Sequence, residues 1–205
     1  MKEHLKMYFR VFSHPVATFS DIKELKFYSL KYSSLLFLLL LLSQVLNRQF
    51  IGFTFNNSNT SKFNIIALFL ELLGIVLLWT VSNWAVCTLC YGEGKLKEVY
   101  VISLVATIPY SFSMIFYTIL SNVLTPDESI FLTTIMTVGI LWTAILIFVG
   151  LMILHDFSLF RVIWTSILTI ALMAVVLFLV VLCYSLFKQI TGFGTDIVSE
   201  ITNRL

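Results

Sequence analysis

Leu35-Leu36-Phe37-Leu38-Leu39-Leu40-Leu41-Leu42 is an unbroken run of large apolar side chains, set in a stretch from Ser29 to Leu46 whose one charge is Lys31. Crossing the hydrocarbon core of a bilayer takes about 20 apolar residues in a helix, and this stretch is close to that length. Four others qualify: Phe63 to Tyr91, Val99 to Leu120, Ile130 to Leu154 and Val162 to Phe187. None alternates apolar and polar residues as a barrel strand does. A helix satisfies its backbone hydrogen bonds within itself, so helices are the solution lipid leaves. The spans predict an all-α, polytopic membrane bundle with five transmembrane helices.

The whole chain agrees. Its 205 residues are 59% hydrophobic and 12% charged, against roughly 45–50% and about 25% in soluble domains. A soluble fold of this size has too little interior to hide such a composition. A net charge of +2 gives no reason to expect nucleic acid as a partner. With about 28 mixed residues before the first apolar core, the N-terminus does not read as a cleavable signal peptide.

Orientation follows from Lys and Arg in the flanks. Lys2, Lys6, Arg10, Lys23, Lys26, Lys31, Lys95, Lys97 and Arg161 fall on the side shared with the N-terminus. Arg48, Lys62, Lys188 and Arg204 fall on the other. The N-terminus is therefore expected in the cytoplasm and the C-terminus outside. The domain at 29–187 is flanked by an interfacial segment at 1–28 and an outer tail at 188–205.

Both flanks are amphipathic. Leu5, Tyr8, Phe9 and Phe12 share one face of the N-terminal segment, and Lys2, Lys6 and Arg10 share another. An aromatic stripe beside a basic one suits a helix lying in an anionic interface or docking a partner. A second short helix is predicted from Pro15, with Val16, Phe19 and Ile22 on its face. In the tail, Ile190, Phe193, Ile197 and Ile201 fall within one arc, and Gly192 and Gly194 are expected to loosen its junction with the fifth span. These apolar faces are the candidate contacts with membrane or partner.

Chemistry is sparse. Glu71 is the one acid well inside an apolar run, and an ionisable residue at membrane depth is a functional candidate by default. Asn83 lies nearer the other end of the same span and suits a hydrogen bond between helices. Cys87 and Cys90 form a Cys-x-x-Cys, but no His stands near to complete a metal site, and packing is the simpler reading. His155-Asp156 ends the fourth span without a nucleophile to serve and reads as an interfacial loop pair. No catalytic residue, metal or cofactor is expected, and no enzymatic activity.

Gly92-Glu93-Gly94-Lys95-Leu96-Lys97-Glu98 joins the second and third spans, and Pro109 follows within the third. The two glycines suit a tight turn, Lys95 and Lys97 hold it at the basic side, and Pro109 is expected to kink its helix. This loop resembles the Gly-x-Gly turn followed by a proline-bearing span in the Yip (Ypt/Rab GTPase-interacting protein) membrane family. Pro15 through Phe19 and Ile22, Asn83-Trp84, and His155 with Ser158 are similar to its bacterial branch. The likeness runs from about residue 10 to 187.

The resemblance implies five spans with a cytoplasmic N-terminus in a bacterial cytoplasmic membrane. It implies a non-enzymatic accessory subunit that packs against other integral membrane proteins, with a carbohydrate importer of the ATP-binding-cassette (ABC) type as the candidate complex. Eukaryotic relatives bind Rab-type GTPases, but this chain lacks their long acidic N-terminal region and Asp-Leu-Tyr-Gly-Pro motif, so GTPase binding is not expected. The alternative is a small transporter, or a lipid-handling or membrane-shaping protein.

Overall fold

In the computed structural model the described residues, 7–24, 30–56 and 63–204, form helices joined by short turns, and no strand occurs among them. After a 3-10 turn at Arg10–Phe12 come α1 (Pro15–Glu24), α2 (Leu30–Phe50), α3 (Ile65–Leu89), α4 (Leu96–Ala106), α5 (Ile108–Leu120), α6 (Ser129–His155) and α7 (Leu159–Arg204). Counting α4 and α5 as one broken span, five helices are long and apolar enough to cross a membrane.

Local chemistry sets the ends. Asn64 Oδ1 caps α3, accepting from the N–H groups of Ile66 and Ala67 at 2.9 and 3.2 Å. The Glu98 carboxylate accepts from the Lys95 N–H at 2.9 Å and fixes the start of α4. Pro109 cannot donate to the turn before it, and the helix breaks at Thr107. The Tyr110 N–H beside that break donates instead to Thr143 Oγ1 of α6 at 3.2 Å. The expected kink at Pro109 is thus a full interruption, resealed by a neighbouring helix as lipid requires.

α2 and the α4–α5 pair run parallel, stitched by Ser34 to Tyr100 (3.5 Å), Gln44 to Tyr110 (2.8 Å) and Asn47 to Thr118 (3.1 Å). Side-chain bonds of this kind contribute about 0.6 kcal/mol each in membrane bundles. The core lies where α1, α2, α4 and α6 converge on Phe19, Ile22, Leu36, Ile102 and Leu146. At Gly150 of α6 an added Cβ would meet Ile102 at 2.5 Å and the Phe19 ring at 3.4 Å, so the missing side chain lets α1, α4 and α6 close together.

Both flanks differ from the sequence expectation. Tyr8 does not share an outward face with Phe9 and Phe12: it is fully buried and meets Ser33 Oγ at 3.0 Å. Phe9 and Phe12 are partly exposed, each edge-on to Phe112 of α5 at 5.9 Å. Phe19 and Ile22 point into the core while Val16 points out. The segment is therefore built into the bundle, because its aromatic rings find apolar partners there. Leu5 lies outside the described residues. At the other end α7 continues through Gly192 and Gly194 without a break. Glycine lowers helix propensity but does not forbid helix. Ile190 and Phe193 are both 69% exposed; the side chains of Ile197 and Ile201 lie outside what the structure describes.

Candidate functional site

At one end of the bundle, three segments remote in sequence meet: α1, the loop at 91–95, and the turn after α6. The loop begins where α3 ends. Cys90 closes the helix, Tyr91 takes a left-handed backbone at φ 62°, and the Gly92 N–H donates back to the Cys87 carbonyl at 2.8 Å. Neither glycine has a positive φ. Their value is the absence of a Cβ. One added at Gly92 would collide with His155 and lie 2.9 Å from the Cys87 carbonyl oxygen; one at Gly94 would lie 2.6 Å from Leu154 Cγ. The turn function expected of the glycines is thus corrected to a close-approach function.

His155 is the residue they approach. Its Nδ1 accepts from the Gly94 N–H at 3.2 Å, its ring stacks on Phe157 at 5.4 Å, and it is 1% exposed. The loop pair expected at the interface is therefore split. His155 is buried as part of the loop's seat, while Asp156, left-handed at φ 52°, stays exposed. An acceptor at Nδ1 places the proton of a neutral ring on Nε2.

Lys23 locks α1 over this seat. Its Nζ hydrogen-bonds Asp156 and lies 3.5 Å from Glu93, so one ammonium joins α1 to both turns. Partial burial opposes the charge on Lys23, but the Asp156 hydrogen bond and charge, then those of Glu93, outweigh it and raise its pKa above 10.5. The Lys23 hydrogen bond in turn holds the Asp156 carboxyl below 3.8. On the far side of the loop, Arg161 of α7 donates to the Cys90 carbonyl at 2.6 Å and lies 4.5 Å over the Phe157 ring.

The residues singled out by sequence fall into separate groups. Gly92, Gly94 and His155 touch, and Phe19 and Ile22 lie in the core beside them. Lys95 and Lys97 are exposed at the start of α4, and Pro109 lies deeper, at the helix break. Glu71 and Asn83 do not form one site. Glu71 is exposed and pairs with Arg48 at 3.6 Å, toward the end of α2 far from the glycine loop. Asn83 is buried and donates to Thr169 of α7 at 3.3 Å. Cys87 Sγ meets Asn83 Oδ1 at 3.7 Å, and Cys87, Cys90 and Cys183 are free thiols.

Lys23, Tyr91, Glu93, Phe157 and Arg161 were not singled out as candidates. Arg161 and Phe157 are four positions apart, but Phe157 lies in the turn before α7, so helical spacing does not announce their contact. Lys23 reaches across 133 positions to Asp156, and no local pattern announces that.

A family model described as the Yip1 domain matches residues 9–181. No curated protein and no solved structure matches the chain.

Proposed function

The chain belongs to the Yip1-domain family, and on that premise we propose that it is a non-enzymatic accessory subunit of a bacterial cytoplasmic membrane that packs against another integral membrane complex. The carbohydrate importers of the ABC class are the first candidates. In this reading the N-terminus and the glycine loop face the cytoplasm and the C-terminus lies outside. The observation that carries it is α7. Only 11% of its most apolar membrane-length stretch is buried within the chain, against 56% for α4–α5. A helix so little used by its own fold offers its surface to something else in the bilayer. Its 46 residues span about 69 Å, more than twice the roughly 30 Å hydrocarbon thickness, so an exposed arm with Ile190 and Phe193 on it extends past the bundle.

Purification from the native host in mild detergent, followed by mass spectrometry, tests the proposal. Stoichiometric membrane subunits that are lost when α7 is cut after Leu186 are the expected result. Recovery of this chain alone overturns it. Labelling Cys90 and an engineered cysteine at Gln189 from each side of sealed vesicles tests the orientation. Label reaching both from the same side is incompatible with it.

A further inference from the structure

Three exposed cations lie at the glycine loop outside any ion pair among the described residues. Lys95 ends the loop, Lys97 lies in the first turn of α4, and Arg161 is bonded to Cys90 at the loop's start. With Lys23 counted, four cations face the three acids Glu93, Glu98 and Asp156, of which Glu93 and Asp156 share Lys23 and Glu98 accepts from the Lys95 N–H. The patch therefore keeps a local excess of positive charge.

Arg161 is also held in place. The Cys90 carbonyl and the Phe157 ring fix its guanidinium from two sides, and its remaining N–H donors stay available to an oxyanion. Arg161 has apolar and aromatic residues beside it in α7, and others lie at the start of the loop. Leu89, Phe160 and Trp164 are exposed, and Tyr91 is 89% exposed on a left-handed backbone unfavourable for a bulky residue. Tyrosine and tryptophan favour the headgroup level of a bilayer.

We propose that Arg161, Lys95 and Lys97, with Tyr91 beside them, form a binding surface for the phosphate of an anionic membrane lipid. The charge complement is a phosphodiester or phosphomonoester. The exposed Leu89, Phe160 and Trp164 assign it to a lipid, because a free phosphate in water gains nothing from apolar side chains around its site. The lipid bridges the start of α4 and the start of α7, and so ties the outlying α7 to the loop end of the bundle.

Native mass spectrometry from nanodiscs of equal phosphatidylglycerol and phosphatidylcholine reads this directly. The wild-type chain is expected to retain phosphatidylglycerol selectively, and each cation neutralised lowers that preference about fivefold. Because Arg161 also braces the loop, the double variant K95Q/K97Q carries the test, with K188Q, which removes an exposed cation far along α7, as a control that keeps the preference. Equal retention of the two lipids, or an unchanged preference in K95Q/K97Q, overturns the proposal. Loss of the bound lipid to millimolar inorganic phosphate overturns its lipid assignment.

Discussion

Gly92-Glu93-Gly94 and Gly192-Phe193-Gly194 are spelled alike and sit in opposite circumstances. The first lies pressed onto His155 and Leu154 with no room for a methyl group; the second runs through an unbroken helix with nothing within 4 Å of either would-be Cβ. In neither does a glycine adopt a positive φ, so backbone freedom explains neither pattern. The difference is tertiary. A glycine that admits a neighbour belongs to the packing of the bundle, whereas one in open space costs helix stability and gains no contact within the chain.

The strongest way to break the comparison is to put a side chain at Gly94. Gly94→Val forces two methyl groups into Leu154 and His155, and overpacking of this kind costs about 2–3 kcal/mol. Thermal unfolding in detergent is expected to fall by several degrees and the His155 contact to be lost. The same substitution at Gly194 is expected to change stability by only a few tenths of a kcal/mol, the difference in helix propensity between the two residues. Equal effects at the two positions would mean that loop packing does not distinguish them.

A smaller effect attaches to the clamp above that loop. Lys23→Met removes the ammonium joining α1 to Glu93 and Asp156, a partly exposed pair of contacts contributing about 0.5–1 kcal/mol. The pH dependence has a definite sign. Asp156 is held below 3.8, so its contribution is complete above that value and lost as pH falls through the depressed one. Lys23 is raised above 10.5, so its contribution is complete below that value and lost only beyond the raised one. Wild-type stability is therefore expected to exceed that of Lys23→Met by an even margin between those two ordinary values, and the margin narrows as pH falls through the lowered Asp156 value. A gap that widens on acidification would contradict the pairing. Protease cleavage within α1 offers a second readout of the same release.

The two glycine patterns also mark where the sequence can be read and where it cannot. The spans were legible because lipid admits few solutions and hydrophobic length is a local property. A disturbance near Pro109 was legible for the same reason, since a proline's missing N–H acts on its own helix, but the sequence suggests a kink where the structure has a full break at Thr107. The burial of His155 was not, because it depends on a loop 61 positions earlier folding onto it. Nor was the inward turn of Tyr8, whose helical wheel gives a face but not the neighbour that face will meet. In both cases residues adjacent on a wheel or in the chain separate, as Asp156 does from His155, because burial is decided by contacts between elements. The continuous α7 shows the converse error. A glycine pair reads as a loosened junction, yet propensity costs of about 1 kcal/mol per residue are small for a helix already propagating through dozens of residues.

The smallest effect sharpens the comparison from its exposed side. Gly192→Ala places a methyl group in open space on a negative-φ backbone, so nothing offsets the gain in helix propensity of about 0.5–1 kcal/mol. That gain is local, because the arm beyond the bundle opens without disturbing the core and the global transition need not register it. Amide hydrogen exchange in residues 188–204 is the appropriate measurement, and protection there is expected to rise about threefold while the loop at 91–95 exchanges as before. Gly194→Ala should add to it, and the pair together should approach the product of the single effects. Unchanged protection would mean that the arm draws its helicity from a contact outside this chain, since propensity then no longer limits it.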